Sequence, residues 1–173
     1  LPTMAWLDGC SAGEEAIEEL IEVGRSTGVV VFNIIPDRNF TPGSKDQKLA
    51  NLQRVIEIIQ DLGMPLLAGT EMNSPGQKFV DDFDSDELKP FHDQFLAGSR
   101  ILHAHSTLQR YAGMGYLSDW AKDQFSSLSA KNEFYARFGE TFSPRGDTAL
   151  QDELKQSLGN QEVLELADRV MAS

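Results

Sequence analysis

Cysteine is nearly absent, with Cys10 alone in 173 residues. One thiol cannot close an internal disulfide, which excludes a stapled secreted scaffold and leads us to expect a reducing, cytoplasmic setting. Long apolar runs are also missing. None approaches the roughly 20 residues that a membrane-spanning helix needs, and the first residues lack the basic start and apolar core of a secretory signal. Basic residues are scarce, with 15 Lys and Arg against 27 Asp and Glu and a formal charge of −12. So acidic a surface repels phosphate backbones and anionic lipids, which argues against nucleic-acid and membrane partners. One small anionic substrate in a locally positive cleft stays compatible with it. The P-loop, G-x-G-x-x-G and G-x-S-x-G patterns do not occur. Asp82, Asp84 and Asp86 alternate as calcium ligands do, but Glu87 stands where an EF-hand loop needs glycine and Asp93 where it needs glutamate. That acidic run reads as a solvated helix start.

The first 105 residues repeat one grammar of apolar run, polar residues, helical pattern and glycine. The runs are Thr3 to Leu7, Val29 to Ile35, Pro65 to Thr70 and Arg100 to His105. The second is almost continuously apolar and rich in β-branched residues, as a strand covered on both faces reads. Between the runs, Ser11 with Glu14 and Ser44 with Gln47 have capping-box spacing. Leu49, Leu52, Val55, Ile56 and Ile59 recur at three and four residues, and a further helix is expected over 86–97. Strands alternating with helices predict α/β architecture, with parallel βαβ units in an incomplete or distorted TIM-type barrel. Beyond His105 the pattern is helical, over 118–138, 148–158 and 161–171, with Trp120, Phe125, Phe134, Tyr135 and Phe138 as candidate core. We expect a barrel-like domain over 1–140 and a helical tail over 141–173. Four strands fall short of a closed barrel's eight. Because Leu1 leads straight into a strand, we expect a piece of a longer chain.

Ligands in parallel α/β folds sit at the carboxyl ends of strands, and four polar patches fall there. They are Asp8, Asp37-Arg38-Asn39, Glu71-Met72-Asn73 and His103-Ala104-His105. In a strand, residues two apart face the same side, so His103 and His105 together with Glu71 are candidate ligands for a divalent metal, zinc or manganese. The bland alternative is one core histidine and one loop histidine, with Glu71 in a cap or a salt bridge to Arg38. Asp37 and Arg38 are the candidate catalytic pair, Arg38 clamping an anion in two-pronged fashion or forming a structural ion pair with Asp37. Asp8, Asn39 and Asn73, with Asn33, are candidates to orient substrate, although asparagine is also a routine loop residue. His92 is expected at the surface, and Cys10 as a small buried residue rather than a nucleophile.

The stretches Leu7-Asp8-Gly9-Cys10-Ser11-Ala12-Gly13-Glu14-Glu15, Ile34-Ile35-Pro36-Asp37-Arg38-Asn39 and Ala68-Gly69-Thr70-Glu71-Met72-Asn73 together resemble the PHP (polymerase and histidinol phosphatase) superfamily. That pattern runs H-x-H, S-D-G, a helix opening P-E-E-L, a strand ending T-D-H and a strand ending G-x-E. The resemblance covers about residues 1–105. It implies a distorted barrel and phosphoesterase chemistry on two or three metal ions, with the G-x-E carboxylate on Glu71 and a later histidine on His103 or His105. This chain departs from the pattern at the H-x-H positions, which fall on Leu1 and Thr3, at Arg38 in place of the T-D-H histidine, and in lacking a closing D-x-H. It therefore resembles either a relative with remodelled metals or the later part of a larger amidohydrolase-like barrel.

Two functions follow as expectations. One is a metal-dependent hydrolase-like domain, of phosphoesterase or amidohydrolase type and partial or inactive if the other ligands are missing, acting on a small anionic substrate. The other is a non-catalytic α/β domain that binds a ligand or partner. Unpaired sheet edges at Thr3 to Leu7 or Arg100 to His105 further lead us to expect a homodimer.

Overall fold

The computed structural model describes residues 1–6, 8–10, 16–36, 45–70, 75 and 79–172. Three short strands, β1 (Thr3–Trp6), β2 (Val31–Ile34) and β3 (Leu66–Ala68), fall inside the first three apolar runs. They form one parallel sheet in the order β1-β2-β3. Parallel neighbours cannot be joined by tight turns, and the crossovers carry helices α1 (Ile17–Ser26) and α2 (Lys45–Asp61). Met4 pairs with Phe32 and Phe32 with Leu66; Trp6 pairs with Ile34 and Ile34 with Ala68. Paired residues point to the same side, so these six side chains line one face of the sheet. That face meets Ile17 and Ile21 of α1 and Leu52, Val55, Ile56 and Ile59 of α2 in one core cluster, all buried. Helix α2 ends at Gly63, whose φ of +64° lets Met64 N–H reach back to Ile59 O at 3.1 Å, a glycine C-terminal stop. On the opposite face Thr3 and Ala5 are exposed.

The expected barrel does not form. Most of the chain is helical, and the strands among the described residues are these three. The fourth run, Arg100 to His105, lies inside the 21-residue helix α3 (His92–Ala112), so its expected roles as a strand and as a sheet edge fall together. Only Ile101 in that run is β-branched. Gly98, read as the break before the run, sits buried within the helix. Ile101, Ala104 and Leu108 are buried at helical spacing. The expected helix start at residue 86 also moves. Residues 83–88 are turns, and a short 3-10 segment, Lys89–Phe91, carries Pro90 in its first turn, the place where a helix tolerates a residue with no N–H.

The chain divides into two compact units, Leu1–Leu96 and Ala97–Ser173. The second is all helix: the rest of α3, then α4 (Asp119–Gln124), α5 (Leu128–Thr141), α6 (Asp147–Glu153) and α7 (Asn160–Ala172). Ser118 and Ser127 cap α4 and α5, their hydroxyls accepting from Ala121 N–H and Ala130 N–H. Trp120, Phe134, Tyr135 and Phe138 are buried as expected, and Phe125 packs its ring on Trp120 and Phe134 with centroids 6.0 and 5.1 Å away. The closing helices expected as a tail pack inside this unit, α7 against both α5 and α6. Among the described residues no helix is long and apolar enough to cross a membrane.

Gly139 marks a close approach of α5 to α3 in the second unit. A Cβ built there lies 2.0 Å from the backbone oxygen of Arg100 on α3. Helix propensity alone favours Gly139→Ala by roughly 1 kcal/mol, but the clash is with backbone and cannot be relieved by a rotamer change. Gly139→Ala is expected to destabilise the unit by about 1–2 kcal/mol net. Denaturant unfolding followed by Trp120 fluorescence in a Trp6→Phe background measures this, and an unchanged or raised midpoint refutes the close-contact account.

Candidate functional site

Parallel order brings the carboxyl ends of β1, β2 and β3 to one edge of the sheet. After β1 the chain continues through Asp8, Gly9 and Cys10. Asp8 is half-buried and tightly held. Its Oδ2 meets Lys48 Nζ at 2.7 Å, and its Oδ1 accepts from Cys10 N–H at 3.0 Å. Lys48 stands four, seven and eleven residues before Leu52, Val55 and Ile59, on the core stripe of α2, and is only 8% exposed. A charge on a core stripe is costly unless paired, and Asp8 is the partner. Asn51, one turn further along α2, donates from Nδ2 to the backbone oxygens of Asp8 and Gly9 at 3.2 and 3.4 Å. Burial on its own pushes the Asp8 carboxyl up. The Lys48 hydrogen bond, the Cys10 N–H and the lysine charge outweigh it and hold the group below the ordinary 3.8.

Beside this pair lies a cleft of about 150 Å³ lined by Trp6, Gly9, Ile17, Gln47, Asn51 and Arg54. Gln47, Asn51 and Arg54 are four and three residues apart, a polar stripe on one face of α2. Gly9 has φ +70°, and a Cβ there sits 2.9 Å from both the Trp6 ring and the Asn51 amide. Gly9 thus packs directly against the Trp6 ring and Asn51, where a larger residue does not fit. Arg54 Nη2 donates to Glu18 Oε1 of α1 at 2.5 Å. Lys45 and Glu87 form a further ion pair.

Of the residues singled out from the sequence, Asp8 is placed at this edge. Asp37, Arg38, Asn39, Glu71 and Asn73 lie outside the described residues. Asn33 is half-buried on β2 and packs its amide over Gly69. Cys10 is exposed rather than buried, and His92 is exposed as expected. His103 and His105 do not act as a strand pair. Two residues along a helix turn about 200°, which sends the rings to opposite sides. His103 Nε2 contacts Phe142 O at 3.1 Å, and its ring stacks on Phe142. His105 Nδ1 accepts from Tyr116 N–H at 3.0 Å. Among the described residues no group of three or more His, Cys, Asp or Glu is arranged to hold a metal ion, and His103 and His105 do not share the face that the expected metal site needs. Lys48, Asn51, Arg54 and Trp6 were not singled out from the sequence. The available signal was Lys48, a charge in register with an otherwise apolar helix stripe.

His105 belongs to a polar knot of the second unit. Tyr116 Oη bonds Asn132 Oδ1, Lys131 Nζ lies 4.2 Å above the Tyr116 ring, and Tyr135 Oη donates to Met114 O at 2.8 Å. Burial raises the Tyr116 and Tyr135 phenols beyond their ordinary range and lowers Lys131. The knot fastens the turn over 113–118 to α3 and α5.

Two pH effects follow. Asp8 titrates lower when folded, so its contribution to stability is complete above 3.8 and is lost as pH falls through the depressed value. Asp8→Asn is expected to be less stable than the wild type at pH 7, and the difference between the two is expected to shrink on acidification below pH 4. Paired urea titrations across that range check it, and a constant difference refutes the pairing. Burial lowers His105 from 6.5, so the unfolded chain takes up a proton that the folded one declines. Stability of the second unit is then complete above 6.5 and declines below it. Unfolding midpoints read through Trp120 are expected to fall below about pH 6.5 in the wild type, with that portion of the fall missing in His105→Gln. Comparison with known proteins returns no matching family model, no matching curated protein and no matching solved structure.

Proposed function

We propose that the first unit binds a small anionic ligand at the carboxyl end of β1. The observation that carries this reading is the cleft beside the Asp8–Lys48 pair, at the edge where parallel sheets present ligands. Its described walls come from the end of β1, Gly9 just beyond it, and helices α1 and α2, and such sites are largely pre-formed. The Asp8–Lys48–Asn51 linkage fixes the strand end, and the Gln47, Asn51 and Arg54 stripe supplies polar groups at a scale suited to a small molecule.

A second reading is metal-dependent phosphoester hydrolysis at the same edge. One observation favours it. Ile34 and Ala68 end adjacent parallel strands, and the sequence continues from them to Asp37 and Glu71, in the order that the resemblance requires. This reading uses Asp37, Arg38 and Glu71, and no longer His103 or His105.

Thermal unfolding in inorganic phosphate, with sodium chloride at matched ionic strength as control, tests the first reading. A ligand that binds only the folded state at ten times its Kd stabilises by about 1.4 kcal/mol, so a saturable rise in midpoint is expected in phosphate and not in chloride. Equal curves remove phosphate as a ligand. For the second reading, elemental analysis after growth with manganese or zinc is expected to give a stoichiometric metal that Glu71→Gln lowers. A metal-free chain that leaves a chromogenic phosphomonoester intact refutes it.

A further inference from the structure

Trp6 is 1% exposed, and its Nε1 is buried with no hydrogen-bond partner. An indole N–H is donor only, and a buried donor without an acceptor is rare enough to demand an account. Trp6 ends β1 and lines the cleft described above. The benzo edge of its indole, at Cζ2 next to the ring nitrogen, is the part that a Cβ on Gly9 would strike. The ring therefore packs closely against Gly9 on the wall of the cleft, and its orphan donor is itself shut off from solvent.

Three properties of the surroundings define what completes it. The partner must be an acceptor, because Trp6 can only donate. It must be small, because the cleft is about 150 Å³. It must suit a guanidinium, because Arg54 stands on the same wall. Arg54 is held by Glu18, but both side chains are more than half exposed, 58% and 57%. An exposed pair of this kind is weak and exchanges readily, whereas the Lys48–Asp8 pair, at 11% and 21%, does not. Among the described residues, Arg54 is thus a cation at this edge that can turn to a ligand at little cost. A guanidinium fork and a lone N–H donor together match an oxyanion.

We propose that the Trp6 Nε1–H and Arg54 receive a small oxyanion, the carboxylate or phosphate group of an organic ligand, with Trp6 fixing the acceptor oxygen and Arg54 leaving Glu18 to pair with the charge. The proposal rests on the strand-end reading above and deepens it by naming the atoms that select the ligand. Trp6 is the positioning donor, and Arg54 sets the preference for charge.

The intact ¹⁵N-labelled chain tests this directly. It has two tryptophans, and the Trp120 indole N–H, donating to Leu158 O at 2.9 Å, serves as internal reference. Trp6→Phe assigns the other signal. Sodium phosphate and sodium acetate are titrated separately against sodium chloride at matched ionic strength. The expected result is a saturable downfield movement of the Trp6 indole proton in at least one of them, with Trp120 unmoved, and affinity lowered about tenfold in Arg54→Gln. The more effective anion tells phosphate from carboxylate. An unmoved Trp6 indole alongside shifts at the amides of Asp8, Gly9 and Asn51 overturns this proposal and leaves the strand-end reading standing. No shift anywhere in residues 1–96 with either anion removes both. An Arg54→Gln chain with its Trp120 signal in place and undiminished affinity overturns the role of Arg54.

Discussion

The first unit hangs on an ion pair between a strand end and a helix core stripe. Lys48 occupies a position that Leu, Val or Ile fills elsewhere along α2, and it is buried there because Asp8 meets it. Breaking such a pair leaves one charge uncompensated in a poor solvent, which is far costlier than never having buried either. The pair therefore acts as a register pin as much as a source of stability. It sets where α2 lies along β1, and with it where Asn51 reaches the backbone of Asp8 and Gly9 and where the Gln47, Asn51 and Arg54 stripe faces the cleft. A small three-stranded sheet has little other means of fixing that relation, because its strands are only three and four residues long.

The second unit solves the same problem with aromatics. Trp120 of α4, Phe125 just past its end, and Phe134 and Tyr135 of α5 touch one another, and Phe138 stacks on Phe142. The polar ends of the two tyrosines are spent on Met114 O and Asn132. Each buried hydroxyl is thereby matched, and the loop between α3 and α4 is tied down without a disulfide. The neutral His105 takes part as an acceptor. Its role follows from the helix turning its ring toward Tyr116 N–H, and its burial suits the uncharged form.

The legible parts of the sequence were those where pattern and packing agree. The runs holding β1, β2 and β3 are short and apolar between polar breaks, and α2 shows its stripe in full. The helices of the second unit were visible for the same reason, with a break near Pro144, but residues 118–138 read as one helix where Ser127 caps a second. The run from Arg100 to His105 misled because a short apolar stretch carries no period of its own. Gly98 suggested a stop, and only the spacing of Ile101, Ala104 and Leu108 reveals the helix. That one misassignment turned a sheet-ending motif into a metal-ligand motif, since H-x-H shares a face in a strand and is split in a helix. Asp8 was found by its place after a strand. Trp6 was passed over because a tryptophan in an apolar run reads as core, and its unmet N–H is visible only in three dimensions. Lys48 and Arg54 were not singled out, although Lys48 stands in register with the apolar stripe of α2.

The overall charge sharpens the question of how an anion would be held. The chain carries −12, and three described cations of the first unit already have an acid against them: Lys45 has Glu87, Lys48 has Asp8, Arg54 has Glu18. These pairs are each close to neutral in an acidic protein, so they steer a distant anion only weakly. Selectivity must come at contact range, from groups whose bonds in the empty state are the cheapest to give up. Burial orders the three pairs. The Lys48 pair is internal and structural, the Lys45 pair is partly covered by its glutamate, and the Arg54 pair is open to water on both sides. Of these three, the last is the weakest, and Arg54 lines the same cleft as the unmet indole. Exchange at Arg54 leaves Glu18 in water, where a lone carboxylate is well solvated, so a bound oxyanion replaces one exposed acid with another of better geometry and adds no buried charge without a partner.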